Sequence, residues 1–218
     1  MRSHNYTSVK VCGITQFAQA LSISNLGVDA IGVVGVKSSP RYVPTNQRRK
    51  IFSGLEYYAP TLDRVWVLAD VYEDHISEGL NGDGIPTVVQ LHGRETPEMC
   101  NRLRLKYPNT KWWKALRIQA PDDLLLTSSY AKKVDALLLD AWDPHHLGGT
   151  GSRLPLQWLK NTSIHTPWWL AGGISAEWIP ELLKEVKPWG VDASSRLEIS
   201  PGIKDLMLVE ALVKAVKL

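Results

Sequence analysis

VCGIT, residues 11–15, is where the fold is decided. It closes the first apolar run of the chain, Val9–Gly13. In an open, doubly wound sheet that binds dinucleotides, the first strand runs into G-x-G-x-x-G, whose glycines let a pyrophosphate approach a helix N-terminus. Here the strand ends instead in a thiol and a single glycine, which favours a closed barrel. Outward from this point, short apolar runs alternate with amphipathic stretches, the pattern of βα units on a parallel sheet. The runs AIGVVGV (30–36) and DALLLD (135–140) are nearly continuous in apolar residues, as strands buried on both faces require.

Eight strands are predicted: Val9–Gly13, Ala30–Val36, Arg64–Val71, Thr87–Leu91, Lys111–Arg117, Ala136–Asp140, Trp168–Ala171 and Gly190–Ala193. Helices are expected between them. Thr15 is expected to cap Gln16–Asn25, with Gly27 ending it. Pro44–Tyr58 carries Arg48, Arg49 and Lys50 on what reads as a solvated face. Thr96–Tyr107 opens Thr-Pro-Glu, and Pro108 follows it. Ser175 is expected to cap Ala176–Lys187, and Asp205–Leu218 repeats apolar residues at helical spacing. Tyr72–Pro86, with NGDG inside it, reads as no more than a turn of helix. Neither a linker nor a second domain is evident, so residues 1–218 are read as a single α/β domain, a (β/α)₈ TIM barrel.

The 218 residues suffice for one real core, and the net charge of +3 contains no like-charge block of five. Nucleic acid is therefore not suggested as a partner, and no apolar run is long enough for a membrane span. Met1–Ser8 is polar and lacks a signal-peptide core, so a cytoplasmic protein is expected, with Cys12 and Cys100 as free thiols.

Chemistry in such a barrel sits at the C-terminal strand ends. There the chain places Cys12 after strand one, Arg41 after strand two, Gln90 and His92 at strand four and Asp140 at strand six. Gly172-Gly173 follows strand seven and Ser194-Ser195 follows strand eight. The last two ends form the general phosphate site of the barrel, where glycines and free N–H groups meet the anion. A buried thiol is by default core filler; at a strand's mouth end it becomes a candidate base. Asp140 follows four apolar residues, so its carboxylate must be paired or lie in the mouth, where it is a candidate general acid. His92 reads as a second acid–base group or a loop-positioning donor. Cys100 reads as packing. His145-His146 beside Asp143 is too sparse for a metal site, and none is predicted.

These residues resemble the phosphoribosylanthranilate isomerases of tryptophan biosynthesis. The matching stretches are KVCGIT (10–15), SPRYV (39–43), VVQLHGRE (88–95), LLLD (137–140), GGTG (148–151), LAGGI (170–174) and VDASSRLEISPGIKD (191–205), in family order. The resemblance implies a cofactor-free Amadori rearrangement of N-(5-phosphoribosyl)anthranilate to the 1-deoxyribulose 5-phosphate. It gives Asp140 the role of general acid that opens the furanose, and Cys12 that of the base that removes the C2 proton. Arg41 would hold the anthranilate carboxylate, Gln90 and His92 would contact substrate, and Gly172, Gly173, Ser194 and Ser195 would hold the phosphate. The expected partner is a small phosphosugar–anthranilate substrate, and the expected assembly a monomer or homodimer. Arg196 departs from the family, standing where a glycine usually follows the two serines.

Overall fold

The computed structural model describes residues 6–141 and 153–217. Eight parallel strands close into a barrel in chain order. They are β1 (Ser8–Cys12), β2 (Ala30–Val34), β3 (Asp63–Leu68), β4 (Val88–Leu91), β5 (Lys111–Ile118), β6 (Ala136–Ala141), β7 (Trp168–Ala171) and β8 (Gly190–Ala193). β1 pairs with both β2 and β8, which seals the ring. The helices are α1 (Phe17–Asn25), α2 (Thr45–Tyr58), α3 (Glu73–Gly79), α4 (Pro97–Lys106), α5 (Leu126–Tyr130), α6 (Leu156–Lys160), α7 (Ile179–Glu185) and α8 (Leu206–Lys217). A small antiparallel pair, β9 (Glu198–Ser200) and β10 (Ile203–Lys204), sits between β8 and α8.

Alternation along each strand divides the side chains between two cores. Val9, Val11, Ile31, Val33, Trp66, Val89, Trp112, Leu137, Leu170 and Val191 face outward and are buried under the helices. Ala30, Val65, Val88, Trp113, Ala115, Ala136, Leu138 and Trp169 face inward and fill the lumen. Trp113 and Trp169 pack against each other at 4.8 Å between ring centroids and plug it. Gly190 makes room for them, since a Cβ there would overlap the Trp169 ring. The same inward parity, followed to the top of the barrel, brings up Cys12, Gln90, His92, Arg117, Asp140 and Asp192.

All eight expected strands are present. Several helical expectations change. Thr15 does not cap α1: its hydroxyl donates to the Gly202 carbonyl at 2.9 Å, tying the β1–α1 turn to the β9–β10 hairpin. Ser175 does not cap α7, which starts four residues later after Trp178. The Tyr72–Pro86 stretch holds more than a turn, with α3 running seven residues. Arg48 is not solvated but fully buried, its guanidinium 4.3 Å from the centroid of the Trp66 ring. It donates to the carbonyls of Gly79 and Gly84, while Arg49 donates to those of Glu78 and Asn81. Helix ends leave carbonyls unmet, and a short helix followed by a glycine loop leaves many. Two guanidinium groups from α2 meet them here. Burial, aided by Arg49, lowers the Arg48 pKa to about 10. Thr96 and Asp205 do cap their helices, accepting from Met99 N–H and from Met207 N–H. The 3-10 turn Pro121–Leu125 with α5, and α6, were not expected; both are too short to show a helical period.

Candidate active site

Cys12 is the last residue of β1 and is partly exposed. Gly13 then turns the chain with φ +84, and the N–H groups of Gly13 and Ile14 both donate to the Gly32 carbonyl. Gly32 is the register partner of Cys12, and a Cβ there would lie 2.7 Å from the thiol sulfur. The strand pair therefore opens a space beside the sulfur that only glycine leaves free.

One inward layer below the thiol, Lys10 Nζ donates to Asp192 Oδ2 at 2.8 Å, with the lysine side chain wholly buried. Burial pushes the Cys12 thiol above its usual value, Lys10 pulls it down, the Asp192 carboxylate adds to the rise, and Lys204 opposes it. Burial raises Asp192 as well, against the pull of Lys10. Burial works against the charge on Lys10, but Asp192 and the thiol outweigh it and its pKa rises. The thiol thus rests on a buried ion pair and is held protonated at neutral pH.

Asp140 lies near the end of β6, 5% exposed, and the imidazole of His92 faces it with Nε2 3.5 Å from Oδ2. Gln90 Nε2 lies 3.3 Å from His92 Nδ1, on the side of the ring away from the aspartate. Gln90 Oε1, His92 Nε2 and Asp192 Oδ1 are buried with no hydrogen-bond partner among the described residues. Three unmet polar atoms in one mouth are a set of positions for a polar ligand to satisfy.

At the neighbouring strand ends, Gly172 and Gly173 both have positive φ, +89 and +62. Ser194 donates to the Cys12 carbonyl at 3.0 Å, and the 3-10 turn Ser195–Leu197 follows. β7 and β8 are paired, so the two loops lie side by side. Lys204 reaches them from β10, donating to the Ser194 carbonyl at 3.1 Å and pairing with Glu198 at 2.6 Å.

Arg41 was expected to be available to a carboxylate. Instead its fork closes on Glu198, Nε to Oε1 at 2.8 Å and Nη2 to Oε2 at 2.6 Å. Burial works against the Glu198 charge, but the bonds from Arg41 and Lys204 overcome it and lower its pKa. Cys12, Gln90, His92, Asp140, Gly172, Gly173, Ser194 and Ser195 are thus brought to one mouth, and Arg41 to its edge. The expected Gly148–Gly151 loop and the Asp143, His145 and His146 group lie outside the described residues. Sequence reasoning missed Glu198, Lys204 and Arg117. Arg117 was visible as the next inward position after Trp113 and Ala115, whereas the Glu198–Lys204 pair needs a hairpin that only the fold reveals.

Among the described residues no helix is long and apolar enough to cross a membrane. Residues 9–215 match the family model described as N-(5'-phosphoribosyl)anthranilate (PRA) isomerase. An N-(5'-phosphoribosyl)anthranilate isomerase of Nostoc punctiforme is 44% identical over 204 residues, covering 94% of this chain and 95% of that protein. The crystal structure of phosphoribosyl anthranilate isomerase from Thermotoga maritima superposes with a TM-score of 0.86 at 28% identity, covering 97% of this chain and 98% of that one. A further phosphoribosyl anthranilate isomerase, solved in complex with reduced 1-(o-carboxyphenylamino)-1-deoxyribulose 5-phosphate, gives 0.81 at 27% identity, over 97% and 98% of the two chains. With a closed eight-stranded barrel, a thiol and a carboxylate in one mouth, and a match over nearly its whole length, the chain belongs to the N-(5'-phosphoribosyl)anthranilate isomerase family.

Proposed function

We propose that this chain converts N-(5-phosphoribosyl)anthranilate to 1-(o-carboxyphenylamino)-1-deoxyribulose 5-phosphate, with Asp140 as general acid and Cys12 as general base. The observation that carries this reading is that both groups face inward at the top of one barrel, Cys12 on β1 and Asp140 on β6, over a polar floor of Lys10 and Asp192.

Protonated Asp140 gives its proton to the furanose ring oxygen. The C1–O bond breaks as the nitrogen lone pair forms the iminium. The thiolate of Cys12 then takes the C2 proton, whose acidity the iminium raises, and the electron pair returns to nitrogen as the enolamine. Tautomerisation, with a proton added at C1, gives the ketone. No redox partner enters the balance. His92, beside Asp140, orients that carboxyl and supplies a donor close to the ring oxygen. The backbone N–H groups around Gly172-Gly173 and Ser194-Ser195 receive the phosphate, with the Lys204 ammonium adding positive potential beneath Ser194.

The test follows the loss of freshly prepared phosphoribosylanthranilate by its fluorescence. Removing either the acid or the base is expected to cost about a hundred- to ten-thousandfold in kcat. Cys12→Ala with near-normal turnover removes the thiol from the mechanism, and an active Asp140→Asn does the same for the acid.

A further inference from the structure

The Glu198 side chain is 5% exposed, and two cations from different parts of the mouth converge on it. Lys204 reaches Oε1 from β10 at 2.6 Å. Arg41, in the loop after β2, gives Nε to Oε1 and Nη2 to Oε2. The Gly202 N–H adds a donor to Oε1 at 3.1 Å. A carboxylate with four donors, three of them on charged groups, is held in one orientation. Its hairpin is fastened in turn. Thr15 donates to the Gly202 carbonyl, and the Gln19 amide of α1 accepts from the Lys204 N–H and donates to the Lys204 carbonyl.

Arg41 meets this carboxylate side-on, through Nε and one hydrogen of Nη2. A guanidinium carries five N–H donors in one plane, so the Nη1–Nη2 end is left over, with no hydrogen bond among the described residues. The stem of the arginine lies across Gly13, where a Cβ would overlap it, one residue beyond Cys12. A second planar carboxylate can take the free end while Glu198 keeps the side, so the two do not compete. Lys204 serves the other end of the mouth, donating to the Ser194 carbonyl at 3.1 Å in the loop expected to receive the phosphate. Burial lowers the Lys204 pKa, Glu198 opposes the fall and the Arg41 charge adds to it. The two cations repel each other, and the carboxylate between them is what lets both stay.

We propose that Glu198 is a positioning residue for both anionic ends of the substrate, holding Arg41 end-on to the aryl carboxylate and Lys204 beneath the phosphate loop. The inference rests on the isomerase reading above, with Arg41 at the carboxylate as the family resemblance implies. Two ligands test it: reduced 1-(o-carboxyphenylamino)-1-deoxyribulose 5-phosphate and its counterpart made from aniline, which lacks the carboxylate. The ratio of their Kd values by calorimetry reads the carboxylate contact, and inhibition by inorganic phosphate reads the other end. Wild type, Glu198→Gln, Arg41→Gln and the double variant are compared, with a thermal melt for each.

Glu198→Gln is expected to cut the preference for the carboxylated ligand about tenfold, the range of one charged hydrogen-bonded contact. It should also weaken phosphate inhibition about two- to fivefold, the range of a partly screened charge pair. In turnover KM rises, with a smaller change in kcat. Arg41→Gln alone should lose the same preference, and adding Glu198→Gln to it should lower the preference no further, because Glu198 acts there through Arg41. An unchanged preference in Glu198→Gln overturns the proposal, including the case where both ligands weaken equally, as plain structural damage would have it. So does a raised preference, which would make Glu198 a competitor for Arg41, and so does an unchanged phosphate inhibition. If Glu198→Gln does not fold, Glu198→Asp keeps the charge but withdraws it by one methylene; it should lose part of the preference, and a wild-type ratio counts against the proposal. Wild type that turns over phosphoribosylanthranilate but binds both ligands equally overturns this inference alone. Wild type that binds neither and is inactive removes the isomerase reading as well.

Discussion

The sulfur of Cys12 is flanked by two ammonium groups, Lys10 and Lys204, and one carboxylate, Asp192. Burial dominates this balance and holds the thiol above its usual 9.0. A base must be ionised to act, so the active fraction grows as pH rises toward that value. Because Asp140 must stay protonated in the same reaction, wild-type kcat/KM is expected to be bell-shaped in pH, with the break set by the thiol lying above pH 9. Asp192→Asn removes the nearby negative charge while keeping an acceptor for Lys10, so its alkaline limb should shift to lower pH. A limb unmoved by that change would show that Asp192 exerts no field on the thiol. In the sequence, Lys10 is the neighbouring cation able to lower the thiol pKa. Sequence alone could not show that Asp192 pairs with that lysine, because the two are 182 residues apart and meet only where β1 closes on β8.

At the scale of elements, the loop that carries His92 is pinned from beneath. Lys114, buried on the outer face of β5, donates to the carbonyls of Leu91 and Gly93 and to Glu95 Oε2 at 3.0 Å. Glu95 in turn accepts from the backbone N–H groups of Asp70 and Gly93. One ion pair thus fastens the loops after β3 and β4 to β5. Lys114→Met leaves a buried carboxylate without its counter-ion, which costs about 3–5 kcal/mol. Urea unfolding should report that loss, and the double variant with Glu95→Gln should recover part of it. Because His92 rides on this loop, kcat should fall in Lys114→Met while Lys114→Arg keeps most of it. The strands were legible throughout, since their alternation and apolar runs are local properties. The arginines of α2 were not. Arg48 reads as polar and exposed by every local rule, and is buried because the short α3 leaves carbonyls that only a distant helix can reach.

For the molecule as a whole, closure depends on the seam where the last strand meets the first. α8 covers it, burying Val209, Leu212, Val213 and Val216. At about 1.5–3 kcal/mol per buried aliphatic side chain these four are comparable with the whole stability of a typical domain, about 5–15 kcal/mol. A chain ending at residue 205 is therefore expected to lose its cooperative thermal transition, and a cooperative melt in that truncation would place the decisive contacts elsewhere. The indole pair that plugs the lumen has a consequence of another kind. Trp113 and Trp169 lie directly below the mouth, and tryptophan emits where anthranilate absorbs. They form an optical antenna under the site: excitation of the indoles should light up a bound anthranilate ring by energy transfer, and the signal should weaken in a Trp113→Phe, Trp169→Phe chain.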